Sequence, residues 1–172
     1  GRLGSIYDSG YIFDIGFQVF NTSYEITKRY LNLKKLDLKF FKPGSAIYSD
    51  SKFKIISDPL RDFGQIFDTL FSDIPTLADK MRILKLKFSL FNYVIEKDKS
   101  EDNETIVFLR KYGFSENMIS QFFTPFFAGI FLENKLKTSS KFFKYVFSKF
   151  GKGLASLPLN GMQDIPENML KR

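Results

Sequence analysis

The sequence contains no cysteine and no histidine among its 172 residues. Without cysteine the chain has no disulfide bond, thiolate nucleophile or cysteine metal ligand of its own. Without histidine it lacks the commonest general base and the commonest metal ligand. Protease-type catalytic triads and histidine-based zinc sites are therefore excluded within this chain.

Long apolar runs are also missing. The longest, residues 122–132, is about half of the roughly 20 residues that a membrane-spanning helix requires. Pro125 and Gly129 interrupt it, and no signal-peptide pattern is visible at the N-terminus. We therefore expect no transmembrane helix. We expect a cytoplasmic location, which is compatible with peripheral contact to a membrane.

Positive charge is present, but it is not concentrated in one block. The chain has 26 Lys and Arg against 19 Asp and Glu, a net charge of +7. This charge favours a mild attraction to polyanions or anionic membranes. Because the basic residues are spread along the whole chain, nucleic acid is not an expected partner.

Phenylalanine is abundant, with 22 residues, whereas tryptophan is absent. Phe122, Phe126 and Phe127 lie where Pro125 and Gly129 interrupt a helical pattern. These rings either form part of a phenylalanine-rich core or line an apolar pocket, and the two interpretations are compatible. The three phenylalanines are accordingly the candidate substrate-binding residues.

Strand patterns dominate residues 1–57. Hairpins are predicted at residues 6–15 and 46–56, each around a short polar turn. Between them, Thr22 and Glu25 have the spacing of a capping box that opens one short helix.

Helical patterns dominate residues 58–172. Residues 63–71 have helical spacing, and Thr76 opens a further helix through a capping box with Asp79. Gly113 ends another helix, and Ser140 is predicted to cap the last one. We predict a single α+β domain over residues 1–172, with a small antiparallel or mixed sheet and a helical subdomain.

Residues 140–150 allow two interpretations. One helix face carries apolar side chains, and lysines lie elsewhere on the helix. The apolar residues are Phe142, Phe143, Val146, Phe147 and Phe150, and the lysines are Lys141, Lys144 and Lys149. A basic amphipathic helix can lie on a membrane surface, in which case the chain is a membrane- or lipid-binding module without catalysis. A surface helix that packs its apolar face into the core has the same pattern.

Three short segments carry glycine turns in a fixed order. Residues 1–5 read Gly-Arg-Leu-Gly-Ser, and a Gly-Arg pair offers open backbone N–H groups beside a guanidinium that can hold phosphate. Residues 13–16 read Phe-Asp-Ile-Gly, and residues 158–166 read Pro-Leu-Asn-Gly-Met-Gln-Asp-Ile-Pro. Together they resemble the Gly-Gly-Arg, Phe-Asp-x-Gly and Pro-x-x-Gly-Met-x-x-Ile-Pro segments of flavin-containing amine oxidases and phytoene desaturases.

The resemblance implies FAD as the cofactor and hydride transfer from an apolar or amine substrate to the flavin. It identifies the helical part of the chain with the substrate domain. Its implied cofactor contacts are Gly1, Arg2 and Ser5 near the FAD phosphates and ribose, Gly16, Phe17 and Gln18 beside the flavin ring, and Pro158, Gly161 and Met162 on a nearby turn.

The sequence departs from the family pattern in three places. The family's Gly-x-Gly-x-x-Gly unit, which holds the pyrophosphate at a helix N-terminus, would precede residue 1. A flavin-contacting Gly-Asp segment would follow residue 172, and one glycine of the Gly-Gly-Arg doublet is missing. We therefore expect the central, substrate-binding part of a larger flavoenzyme. By itself it should be inactive, bind FAD weakly or not at all, and self-associate through the face left by the missing domains.

Overall fold

A computed structural model describes residues 2–16, 19–42, 44–49, 51–57 and 76–170. The chain divides into two compact units, Gly1–Lys42 with Lys152–Arg172, and Pro43–Gly151. The helix predicted at residues 63–71 lies outside the described residues. The assignment of residues 1–172 to a single domain stays a prediction.

The described residues form short strands and helices. The strands are β1 (Ser5–Asp8), β2 (Tyr11–Asp14), β3 (Phe20–Asn21), β4 (Leu38–Phe40), β5 (Gly44–Ser49), β6 (Lys52–Ser57) and β7 (Ala155–Pro158). The α-helices are α1 (Glu25–Tyr30), α2 (Leu77–Ser89), α3 (Thr105–Tyr112), α4 (Glu116–Met118), α5 (Thr124–Phe131), α6 (Ser140–Lys152) and α7 (Asp164–Leu170). Tighter or wider turns are the 3₁₀ segments Leu33–Leu36 and Ile95–Lys97 and the π-helical segment Ile119–Phe123. The architecture is thus mixed, with small antiparallel sheets beside helices, as predicted.

The first unit is closed by a strand from the end of the chain. β7 lies between β3 and β4 and pairs antiparallel with both. Behind this sheet, Phe20, Leu36 and Met162 are buried in a small core. A strand that is remote in sequence therefore joins the two N-terminal strands into one sheet.

The second unit is built around phenylalanine rings. Phe123, Phe127 and Phe143 are fully buried, and the ring centroids of Phe127 and Phe143 lie 4.8 Å apart. Ring pairs at this separation stabilise a core beyond the area that they bury. This packing supports the core interpretation for Phe127.

Two helix caps confirm the sequence prediction. Thr76 accepts a hydrogen bond from the Asp79 backbone N–H, and Asp79 accepts one from the Thr76 N–H, so the capping box opens α2. Gly113 ends α3 in the left-handed conformation, with φ of 99°.

Two other predicted caps are wrong, although their helices form. At α1 the N-cap residue is Tyr24, without a side-chain cap, because the Thr22 hydroxyl instead accepts the N–H of Leu154. At α6 the hydroxyl that accepts a first-turn N–H belongs to Ser139, whose partner is Phe142. In both cases the predicted capping residue bonds a residue remote in sequence instead. For Ser140 that residue is Asp102, whose Oδ1 accepts a hydrogen bond from the Ser140 hydroxyl.

Helix α6 packs into the core of the second unit. Phe143 and Val146 are buried, and Phe147 packs against them, whereas Phe142 is 40% exposed. Its Lys144 is also buried, where its ammonium lies 2.6 Å from a carboxylate oxygen of Asp98. This packing favours a core helix over a membrane-bound one at residues 140–150. Within the described part of the chain, no helix is long and apolar enough to cross a bilayer.

The Asp98–Lys144 pair anchors the loop before α3 to α6. Asp98 also accepts hydrogen bonds from the Tyr93 hydroxyl and from Ser100. Burial alone would raise the pKa of Asp98, but the hydrogen bonds from Lys144, Ser100 and Tyr93 outweigh it and lower that pKa well below its usual range. Burial and the hydrogen bond to Asp98 raise the pKa of Tyr93.

This pair predicts a pH window for the stability of the second unit. A carboxyl whose pKa is lowered by folding contributes stability above its unfolded pKa, which is about 3.9 for Asp. That contribution is lost as pH falls toward the folded value. The raised pKa of Tyr93 contributes stability below about pH 10 that is lost as pH rises further. We expect urea-unfolding free energies to decline on both sides of this window.

The variant Asp98→Asn tests the assignment. It leaves the buried Lys144 ammonium without its charged partner, and we expect the free energy of unfolding to fall by about 3 kcal/mol at pH 7. The unfolding free energy of this variant should also decline less as the pH is lowered. Glu116→Gln, which removes the exposed partner of Arg110, is the matched control and should change little. Equal losses for the two variants would contradict the anchoring role of Asp98.

Candidate functional site

The turn between β1 and β2 places Ser5 opposite Asp14. Ser9 and Gly10 both have positive φ angles, 49° and 84°, as a two-residue type I′ turn requires. Counting back from this turn pairs Ser5 with Asp14, and the structure has this register. The predicted N-terminal hairpin is therefore confirmed. The side chains of Ser5 and Asp14 contact the same neighbouring segment.

That neighbour is the turn before α7. The Ser5 hydroxyl donates to Asp14 Oδ1 at 2.6 Å, and the Met162 N–H donates to the same oxygen at 2.8 Å. The Gln163 N–H donates to Ser5 Oγ at 3.1 Å, while the Ser5 N–H donates to the Gln163 side-chain carbonyl. We refer to Ser5, Asp14, Gly161, Met162 and Gln163 as the hairpin–turn cluster.

Gly161 lets this turn approach the hairpin. Its φ is 89°, and a Cβ there would lie 2.6 Å from Ser5 Oγ and 2.8 Å from Ile12 Cγ2. Such distances are below van der Waals contact. A side chain at position 161 would therefore separate the turn from the hairpin.

A second contact extends the cluster toward a cavity. The Tyr7 hydroxyl donates to the Asn160 carbonyl at 2.6 Å, and burial followed by the carboxylates of Asp164 and Glu167 raises the pKa of Tyr7. Asn160 also borders an open cavity of about 760 Å³. The cavity is lined by Leu31, Asn32, Leu33, Lys34, Lys35, Leu36, Asn160, Asp164, Glu167 and Asn168. The side chains that line the cavity carry charges of both signs, so the cavity has no electrostatic preference for an anionic ligand.

Arg2 lies next to the hairpin with an exposed side chain. The backbone of Arg2 approaches Gly16 so closely that a Cβ on Gly16 would lie 2.6 Å from the Arg2 carbonyl oxygen. The close approach of the backbone therefore accounts for glycine at position 16, independently of any cofactor contact. The Arg2 guanidinium makes no hydrogen bond or ion pair with the residues that the structure describes.

The structure brings most of the described candidate cofactor residues to one place. Arg2, Ser5, Gly16, Gly161 and Met162 lie at or beside the hairpin–turn cluster. Pro158 is the last residue of β7, on the strand that leads into the turn. Gly1, Phe17 and Gln18 lie outside the described residues.

The candidate substrate residues belong to the other unit. Phe127 is buried in its core, whereas Phe122 and Phe126 are half-buried. The rings of Phe122 and Phe126 stack with centroids 5.8 Å apart and planes 10° apart. Within the described part of the chain, no cluster of three or more acidic side chains has the arrangement of a metal site.

Sequence reasoning misses Asp14 and Gln163 as site residues. Asp14 is part of the Phe-Asp-x-Gly motif, but the motif alone predicts no role for it. The two-residue turn is the available signal, because it fixes the register that pairs Asp14 with Ser5. No local signal identifies Gln163, since its partner lies 158 residues away.

The fold and the site define a protein of helices and small antiparallel sheets in which all three glycine-containing motifs meet through hydrogen bonds. The chain belongs to the family of flavin containing amine oxidoreductases, whose family model matches residues 1–172. This match confirms the family resemblance found in the three glycine segments. Members of this family are flavin-dependent oxidoreductases, so flavin is the cofactor of the family. A comparison with curated proteins gives no significant match.

Replacing Gly161 by alanine tests the close approach within the cluster. Gly10→Ala is the matched control, because Gly10 has a similar φ of 84° but a Cβ added there would meet no atom within 4 Å. Both variants carry the cost of a positive φ, whereas only Gly161→Ala adds steric overlap. We expect Gly161→Ala to lower the urea-unfolding free energy by about 2 kcal/mol more than Gly10→Ala does. Equal losses would show that the turn can move away freely.

Proposed function

We propose that this chain forms the substrate-binding region of an FAD-dependent oxidoreductase of the amine oxidase or desaturase-like branch. The reaction removes a hydride from an apolar or amine substrate. The observation that carries the proposal is the hairpin–turn cluster. It joins the three segments whose motifs the family resemblance associates with FAD.

Arg2, which lies beside this cluster, fits a phosphate-bearing cofactor. The Arg2 guanidinium is exposed and presents a planar set of donors that matches phosphate oxygens. The Ser5 hydroxyl is engaged by Asp14 and Gln163, so we assign Ser5 to positioning the turn rather than to donating to the cofactor. Arg2 is then the described residue that would hold the FAD diphosphate.

The remaining predicted contacts have supporting roles in this proposal. Gly16, with Phe17 and Gln18, would lie beside the flavin ring, where a glycine permits close approach. Met162 is buried and would hold the turn from behind, together with Pro158. FAD, when bound, supplies the hydride acceptor, and the chain's own task is to orient the substrate and exclude water.

Aromatic rings supply the proposed substrate surface. Phe122 and Phe126 stack on each other and keep part of their area accessible, whereas Phe127 supports them from the core. A wall of this kind binds apolar groups through burial. An apolar substrate, or an amine with a large apolar part, fits it best.

The variant Arg2→Ala tests the proposal in the gene product that carries these 172 residues. We expect its FAD affinity to fall about tenfold or more, because a hydrogen bond to a charged group contributes about 1.5–3 kcal/mol. The readout is an FAD titration followed by flavin fluorescence, with circular dichroism to confirm folding. Arg2→Lys should recover part of the loss, since it restores the charge without the planar fork.

Arg110→Ala is the matched control, because Arg110 is an exposed arginine that pairs with Glu116 in the other unit. Its FAD affinity should equal that of the unaltered protein. If Arg2→Ala binds FAD as tightly as the control, the diphosphate contact is wrong. A gene product that takes up no flavin would overturn the proposed function as a whole.

A further inference from the structure

Helix α2 has apolar side chains on two opposite faces. One face is buried: it carries Asp79 and Leu86, and Leu86 packs in the core of the second unit together with Leu90, just after the helix. The other face is exposed. We call Leu77, Met81, Leu84 and Phe88, together with Phe91 just after the helix, the outer stripe.

Exposure of the outer stripe is high. Leu77 is 72% exposed, Met81 61%, Phe88 69% and Phe91 57%, and Leu84 is half-buried. At about 100° per residue, Leu77, Met81, Leu84 and Phe88 all fall within about 60° of arc on the helix surface. A surface helix normally presents polar residues on the side away from the core. A contiguous apolar surface of this kind marks an interaction site.

Lysines border the outer stripe on both sides. On the helical wheel, Lys80 and Lys87 fall on one flank and Lys85 on the other. The acidic residue of α2, Asp79, is on the opposite, buried face. There it accepts hydrogen bonds from Thr76 and Ser115. The exposed side of α2 therefore combines an apolar centre with cationic borders.

We propose that the outer stripe docks on the surface of an anionic lipid bilayer. Phenylalanine, leucine and methionine side chains would enter the boundary between headgroups and acyl chains, as they do in interfacial helices. The stem of Lys85, which is exposed, would cover apolar area while its ammonium group reaches the lipid phosphates. Between Leu77 and Phe88 the helix rises only about 17 Å, which suits a helix that lies in the plane of the surface.

Charge favours a bilayer over a second copy of this chain. Two outer stripes packed face to face would bring two sets of lysines together, and like charges opposed across an interface disfavour association. An anionic surface instead complements the exposed Lys85, and the net charge of +7 acts in the same direction. The inference does not depend on the flavin chemistry proposed above.

The absence of tryptophan from the chain gives a direct probe. Phe88→Trp places one indole on the outer stripe, and Leu132→Trp places one at an exposed position in another part of the second unit, where Leu132 is 89% exposed. We expect the emission of the Phe88→Trp variant to shift to shorter wavelength when vesicles of phosphatidylcholine and phosphatidylglycerol are added. Pure phosphatidylcholine vesicles should shift it much less, and added salt should weaken the response.

Co-sedimentation with the same vesicles measures the contribution of single side chains. Phe88→Ser should weaken partitioning about tenfold or more, and Met81→Ser should act in the same direction. Lys85→Gln should weaken it about fivefold, as expected for one lysine at an anionic surface. The matched controls Leu132→Ser and Lys137→Gln, both at exposed positions, should bind as the unaltered chain does. Thermal melting checks that each variant folds.

Three results would overturn the proposal. The first is no binding to anionic vesicles, and the second is equal binding to neutral ones. The third is a shielded, short-wavelength emission of the Phe88→Trp variant before any lipid is added, because protein then covers the outer stripe. In that case dilution would identify the covering protein. If a second copy covers the outer stripe, the emission wavelength depends on protein concentration, whereas cover by the same chain leaves it unchanged.

Discussion

A single carboxylate oxygen, Asp14 Oδ1, joins both strands of the N-terminal hairpin to the turn near the other end of the chain. It accepts the Ser5 hydroxyl from the neighbouring strand and the Met162 N–H from 148 residues further along the chain. Strand β7, placed between β3 and β4, reaches the same region through backbone pairing. The closeness of both contacts requires a glycine at position 161, because any Cβ there would meet Ser5 and Ile12. Of the proposed cofactor residues, Ser5, Gly161 and Met162 take part in this closure directly.

Carboxylates organise the second unit in a similar way. Asp79 accepts hydrogen bonds from Thr76 at the start of α2 and from Ser115 at the start of α4, and Asp98 holds a loop against Lys144 of α6. Asp102 accepts hydrogen bonds from Ser139 and Lys141 at the start of α6. Each acidic group joins segments that are remote in sequence. The phenylalanine core supplies the burial, and these polar contacts fix which helix ends meet.

The two lysine-bearing amphipathic helices have different surroundings, although their sequences look alike. In α6 the apolar face and Lys144 are buried in the unit. In α2 the buried face carries Asp79, Leu86 and Leu90, and a second apolar face remains exposed. The membrane-binding interpretation of the sequence alone selects residues 140–150. Only the packing distinguishes a face that the core covers from one that it leaves exposed.

The sequence by itself determined the family, the mixture of helices with small antiparallel sheets, both hairpins and the caps at Thr76 and Gly113. Turns and caps are local, and three glycine motifs keep their order. Tertiary structure decided the pairing of β7 between β3 and β4 and the hydrogen bond between Thr22 and Leu154. It also decided that Ser139 rather than Ser140 caps α6, that Ser5 meets Gln163, and that Asp14 meets Met162. These contacts join residues far apart in the chain, and no local periodicity encodes which remote donor a given oxygen will accept.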